Sequence, residues 1–408
     1  MFEVEEWLHS RIGLNFRSGL GRMQRAVDLL GNPEKTYPII HVTGTNGKGS
    51  TIAFMRELFV AHGKKVGTFT SPHIICINDR ICINGQPITD ETFIRLANKV
   101  QEMEKNLLET HDQLSFFELL TLIAFLYFRE QEVDLVLLEV GIGGLLDTTN
   151  VVTGEIAVIT SIGLDHQETL GDNLEEIAEQ KGGIFKVGKK AVIAKIAPEA
   201  ELVCQKIARV LDVDLYQAGD FSSSLERFSQ LEIGLEGAYQ RENASLALQS
   251  FLLFMASRGE KVDEELVRQA LQETHWAGRL ERIRPQIYLD GAHNLPALTR
   301  LVEFIQEKIQ QGYQVRILFG ALKRKDYQGM LGYLSEQLPQ VELKVTGFDY
   351  QGSLDEKDVA GYDLIPSYGD FIREFEEKAN DQDLLFVTGS LYFISEVRAS
   401  LLGSDGAS

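Results

Sequence analysis

The chain has 408 residues, of which 44% are hydrophobic and 25% charged, and a formal net charge of −20. Such proportions belong to a folded globular protein and exclude collagen-like, disulfide-scaffold and disordered classes; the length allows two or three domains, each with its own core. The acidic balance argues against general affinity for nucleic acid or anionic lipid, which need neutralising Lys and Arg, so an anionic ligand has to be caught locally.

The opening stretch MFEVEEWLHS has neither a basic n-region nor an apolar h-region, and Cys76, Cys82 and Cys204 have no zinc-type spacing. Both features point to a reducing cytoplasm. The first strong element is the apolar strand YPIIHVTG, followed by the glycine-rich turn GTNGKG and the helix STIAFMRELFVAHG. This is the strand–loop–helix context of a phosphate-binding loop: glycines let backbone amides curl round an anion, the helix N-terminus adds positive potential, and Lys48 can reach the outer phosphates. The spelling departs from G-x-x-x-x-G-K-[ST], because Gly49 separates Lys48 from Ser50. That displacement moves the Ser50 hydroxyl from the usual magnesium position and calls for a second hydroxyl.

Further along, KVGTFTSP reads as a strand ending near Ser71, ITDETFIRLANKVQEMEKNLLE as a capped helix, and ELLTLIAFLYF as a buried helix too short to cross a bilayer. VDLVLLEVG, IAVITSIG and KKAVIAKI are strands buried on both faces, since they lack polar alternation. Glu139 ends the first of these and His166 follows the second, so Ser71, Glu139 and His166 form a candidate constellation at the carboxyl edge of a parallel sheet. Lys181, in NLEEIAEQKGGIFK, reads on composition alone as a surface cation or a helix C-terminal charge. After HWAGRLERIRPQ the alternation restarts with IYLDGAHN, VRILFGAL, VELKVTG and DLLFVTGS. The expectation is a first domain over 1–285 and a second α/β domain over 286–408. FSSSLERFS and the terminal GSDGAS read as a surface loop and a frayed end.

GTNGKGS, TSPHIICINDRICING, LLEVGIGGLLDTTNVV, TSIGLDHQETLG, IAEQKGGIFK, GAYQRENASLAL, HWAGRLE, DGAHN and GSLYF occur in the order found in the folylpolyglutamate synthase and dihydrofolate synthase family, a branch of the Mur ligases, which this sequence resembles over most of its length. The resemblance implies a Mur-ligase-like P-loop ATPase domain with a mostly parallel doubly wound sheet, plus a smaller Rossmann-like α/β domain. It implies a cytoplasmic, monomeric enzyme that uses ATP and magnesium, in one or two ions, to phosphorylate a folate carboxylate and condense it with L-glutamate. Thr45, Asn46, Gly47, Lys48, Gly49 and Ser50 would hold the phosphates. Gln240, Asn243, Arg279, Asp290 and His293 would grip the nucleotide, the two domains closing on it. Ser50, Ser71, Glu139 and His166 would ligate magnesium, joined by Lys181 as a carbamate; carbamylation needs a neutral amine and hence burial. Phe116, Glu118 and Asp147 would line the folate site, with Leu145 where many members carry Arg, and Lys325 with Asp326 would handle glutamate. Two other readings stay open: a Mur-type ligase for another carboxylate, and a P-loop ATPase switch that makes no amide.

Overall fold

The computed structural model describes residues 2–14, 19–73, 76–219, 231–359 and 361–403. FSSSLERFS and residues 404–408 lie outside them. The chain divides into two compact units, one of Met1–Ile233 with Arg241–Thr274, the other of Gly234–Gln240 with His275–Ser408.

The first unit contains helices α1 (Phe2–His9) and α2 (Gly21–Leu29), strand β1 (Ile39–Thr43), α3 (Lys48–Ala61), β2 (Val66–Phe69), the strands β3 (Ile81–Ile83) and β4 (Gln86–Pro87), α4 (Asp90–Leu107), α5 (Phe116–Glu130), β5 (Leu135–Glu139), β6 (Ile156–Ile159), the short α6 (Gln167–Leu170), α7 (Leu174–Gly182), β7 (Lys190–Ile193), α8 (Pro198–Val210) and β8 (Asp214–Gln217). Its sheet runs β4-β3-β2-β5-β1-β6-β7-β8, parallel from β2 to β8, with β3 and β4 antiparallel at one edge. β1, β2, β5 and β6 are buried along their whole length, as expected of strands covered on both faces. The run ELLTLIAFLYF lies in α5, where all of it but Tyr127 is buried. No helix among the described residues is long and apolar enough to cross a membrane. Helix α9 (Tyr239–Ser257) begins in residues of the second unit and continues into the first, which also holds α10 (Glu264–Glu273).

The second unit contains β9 (Glu281–Arg284), β10 (Ile287–Leu289), α11 (Leu295–Gln310), β11 (Gln314–Phe319), α12 (Tyr327–Gln337), β12 (Glu342–Thr346), β13 (Asp363–Ile365), α13 (Tyr368–Lys378), β14 (Asp383–Thr388) and α14 (Leu391–Leu402). Its sheet order is β13-β12-β11-β14-β10-β9, parallel except for β9. The unit takes in His275 onward, earlier than residue 286, because β9 pairs antiparallel with β10. The charged sequence ERIR of β9 concealed this edge strand.

Candidate active site

In the first sheet β2, β5, β1 and β6 are successive neighbours and parallel. The segments leaving their carboxyl ends therefore emerge side by side. They carry Ser71 after β2, Glu139 at the end of β5, the glycine loop after β1 and His166 after β6. Topology alone brings the sequence-predicted constellation to one edge, where open α/β sheets place their ligands.

The glycine loop is held tightly. A Cβ on Gly44 would lie 1.9 Å from Thr160 Oγ1, and one on Gly47, which caps α3 at φ 86°, would lie 2.5 Å from Asn243 Oδ1. Only glycine fits at either position. Thr45 donates its N–H to the Ser161 carbonyl at 3.0 Å, and its hydroxyl bonds both the carbonyl and the amide of Gly163, at 3.1 and 3.0 Å. Asn46 donates its N–H to Ser161 Oγ at 2.8 Å, while its carbonyl accepts from Ser161 Oγ and Thr160 Oγ1 at 2.9 and 2.5 Å. Thr45 and Asn46 thus frame the loop, and the amides of Gly47, Lys48, Gly49 and Ser50 have no partner among the described residues. Four helix N-terminal amides in succession form an anion cradle.

Lys48 Nζ donates to the Gly44 carbonyl at 2.9 Å and stands 4.0 Å from Glu139 Oε1. Glu139 is buried, 3% exposed, and its Oε2 accepts the Ser71 N–H at 3.1 Å. Ser50 is buried in the first turn of α3. His166 is half-buried with a left-handed backbone (φ 50°), and its ring lies 3.6 Å from Glu168 Oε1.

Lys181 sits in the last turn of α7 and is 2% exposed. Burial first, then the charge of Lys48, pushes its pKa down to about 7, with Asp165 and Asp147 opposing. A substantial fraction of its amine is therefore neutral near neutral pH. Asp147 is buried as well. Its Oδ1 accepts from the Thr149 N–H at 3.0 Å and the Thr149 hydroxyl at 2.5 Å, and its Oδ2 from the Ile142 N–H at 2.9 Å. The Thr149 oxygen in turn accepts from His41 Nε2 at 2.8 Å, since its own proton goes to Asp147. His41 is wholly buried, which lowers its pKa to about 3 and keeps it neutral.

Phe116 opens α5, half-buried, with the Arg80 guanidinium 5.6 Å above its ring and His9 stacked at 6.3 Å. Glu118 is occupied otherwise: both oxygens accept from Arg22 at 2.8–3.2 Å, and Oε2 accepts the Ser115 N–H in a capping box. The structure thus separates the two, with Phe116 beside a cation and Glu118 locked in an internal ion pair. Leu145 is exposed.

In the second unit Asp290 is buried and both its oxygens are engaged, by the N–H groups of Leu280 and Ala292 at 2.9 Å each. Burial raises its pKa against the charge of nearby Arg279. His293 Nδ1 is 2.9 Å from the Gly291 carbonyl, and Gln240 is buried at the start of α9. Asp326 is the N-cap of α12, accepting from Gly329 N at 3.0 Å, directly after half-buried Lys325. Sequence reasoning passed over Thr160, Ser161, Arg80 and Tyr239, whose buried hydroxyl is close to Asp290 and Arg279. For Thr160 and Ser161 a signal existed: two hydroxyls directly after an apolar strand.

Among the described residues no three His, Cys, Asp or Glu side chains gather as a ready metal cage. The edge offers one buried carboxylate, hydroxyls and an imidazole beside an anion cradle. Such a sparse, oxygen-rich set suits a magnesium ion that shares substrate phosphates and keeps several waters.

Residues 42–251 match the family model of the Mur ligase middle domain. A dihydrofolate synthase/folylpolyglutamate synthase of Bacillus subtilis is 36% identical, covering 98% of both sequences. An FPGS–AMPPCP–folate complex superposes with a TM-score of 0.85 at 31% identity, over 98% of this chain and 99% of that one. A bifunctional folylpolyglutamate synthase/dihydrofolate synthase of Yersinia pestis, complexed with AMPPNP and a Mn ion, gives 0.85 at 28% identity over 98% of each chain.

Proposed function

The chain belongs to the folylpolyglutamate synthase/dihydrofolate synthase family of ATP-dependent ligases, and from that premise we infer that it joins L-glutamate to the glutamyl carboxylate of a reduced folate. The observation that carries the reading is the cradle of four amides with Lys48, standing beside buried Glu139 at one sheet edge. A carboxylate oxygen of the folate attacks the γ-phosphorus, ADP leaves, and the glutamate amine then displaces phosphate from the acyl carbon and loses a proton. The Gly47–Ser50 amides and Lys48 hold the phosphates through both steps. Glu139, Ser71, Ser50 and His166, with Lys181 as a carbamate, would hold magnesium, which neutralises charge on the transferring phosphoryl group. The neutral amine needed for carbamylation is supplied by the burial of Lys181. Asn243, packed against Gly47, supports the same loop. Phe116 and Arg80 suit an aromatic, carboxylate-bearing acceptor, and Lys325 suits the carboxylate of the incoming amino acid. The three cysteines are free thiols, in keeping with a cytoplasmic setting.

The test is phosphate release from ATP across a panel of folates, dihydropteroate and amino acids. Release that needs both a folate and glutamate is expected. Equal release from ATP alone would identify a switch ATPase instead.

A further inference from the structure

We propose that Ser161 is a positioning residue for ATP, setting through its hydroxyl and carbonyl the shape of a phosphate loop that it does not itself belong to. The proposal rests on the ATP-ligase reading above. Three bonds carry it: Thr45 N–H to the Ser161 carbonyl at 3.0 Å, Asn46 N–H to Ser161 Oγ at 2.8 Å, and Ser161 Oγ to the Asn46 carbonyl at 2.9 Å. In a glycine-rich loop each amide is a potential phosphate donor, and which ones face the anion depends on how the backbone is turned. Ser161 takes both amides of the first half, Thr45 and Asn46, away from the ligand side. The Asn46 carbonyl would repel a phosphate if it turned inward, and it is held by the hydroxyls of Ser161 and Thr160 together. What faces the anion is then the unbroken series of Gly47 to Ser50.

The hydroxyl of Ser161 acts both as donor and acceptor with the same residue, Asn46, so it ties down the N–H of the peptide unit before the Asn46 Cα and the carbonyl of the one after it, fixing two successive peptide units. No other residue type of that size does this: alanine loses both bonds, and cysteine replaces them with weak ones. The same segment continues through Gly163, bonded on both its amide and its carbonyl by the Thr45 hydroxyl, to His166. Phosphate loop and His166 segment are consequently laced together at its beginning by six hydrogen bonds, between Thr45 and Asn46 on one side and Thr160, Ser161 and Gly163 on the other.

The experiment compares Ser161→Ala, Ser161→Thr and Lys48→Ala in the full chain, measuring the Kd of AMPPCP and of folate separately by titration calorimetry. Ser161→Ala should weaken AMPPCP binding about tenfold, as loss of one or two hydrogen bonds to the loop implies. Its folate affinity should stay within twofold of the parent, and Ser161→Thr, which keeps the hydroxyl, should restore AMPPCP binding. Should the alanine variant not fold, Ser161→Cys provides the same comparison. AMPPCP affinity within twofold of the parent in the alanine or cysteine variant, or equal weakening of both ligands, overturns the proposal. Lys48→Ala separates the two levels: if it abolishes AMPPCP binding while Ser161→Ala does nothing, the loop reading stands and the positioning role falls; if it binds normally, both fall.

Discussion

Glu139 is shared between two neighbours: Oε1 lies 4.0 Å from Lys48 Nζ and Oε2 accepts the Ser71 amide at 3.1 Å. One buried carboxylate therefore registers the phosphate loop against the segment that follows β2. A cation, an anion and a hydroxyl-bearing turn thus meet at the carboxyl edge of the sheet, where the proposed phosphoryl transfer would need charge neutralised.

Lys48→Ala is expected to lower the ligation rate by about a thousandfold or more, because charge placed on a transferring phosphoryl group supplies several kcal/mol. Circular dichroism should be unchanged. A variant within tenfold of the parent would remove Lys48 from the chemistry.

Lys181→Ala should be nearly inactive and partly rescued by formate or acetate, whereas Lys181→Arg should stay inactive. The pH dependence has a definite sign. With the pKa pushed down to about 7, the neutral amine that reacts with carbon dioxide grows as pH rises through 7. Enzyme stripped of carbon dioxide should thus regain activity on adding bicarbonate more completely at pH 8 than at pH 6. Full activity of the arginine variant would show an ordinary buried cation.

His41 is expected to contribute to acid sensitivity. Its pKa is about 3 in the folded chain against an ordinary 6.5, so below pH 6.5 the unfolded chain binds a proton that the folded chain refuses. Stability is then lost as pH falls from 6.5 towards 3, up to a limit on the order of 5 kcal/mol. His41→Gln, which keeps a donor for Thr149, should show a flatter profile in urea titrations between pH 6.5 and 4. Parallel profiles would place the acid sensitivity elsewhere.

Breaking the Arg22–Glu118 pair should cost stability. The two side chains are 12% and 5% exposed, and removing one partner of a buried pair typically costs about 3–5 kcal/mol. Glu118→Ala is expected to shift the urea midpoint accordingly, and Arg22→Met combined with Glu118→Leu to recover most of the loss. If Glu118→Ala instead left the midpoint alone and raised the KM for folate, Glu118 would be a substrate ligand.

The central parallel strands were legible because burial on both faces leaves continuous apolar runs, as in IIHVT and LVLLE, whereas the part-buried parallel edge strands β8 and β13 were not. Ser71, Glu139 and His166 were legible because each follows such a run, and parallel strands bring their ends together. The charged edge strand ERIR and the short β3 and β4 had no such run to announce them. Glu118 carries two readings, because a carboxylate three residues after a serine at a helix start is both a cap and a candidate ligand, and its ion-pair partner Arg22, 96 residues away, leaves no mark on the local sequence. Ser161 was marked only by its place directly after an apolar strand; its partners are main-chain groups, which residue identity does not reveal.

The cradle at Gly47–Ser50 is built from main-chain amides, and its two glycine contacts leave no room for a side chain at positions 44 and 47. An inhibitor that mimics the polyphosphate and binds those amides would face few routes of escape. Substitution cannot delete a peptide N–H except by proline, and at positions 44 and 47 it cannot add a side chain without displacing Thr160 or Asn243. Resistance would have to arise from the residues that shape the loop from outside, which makes Thr160, Ser161 and Asn243 the positions to sequence in any selection against such a compound.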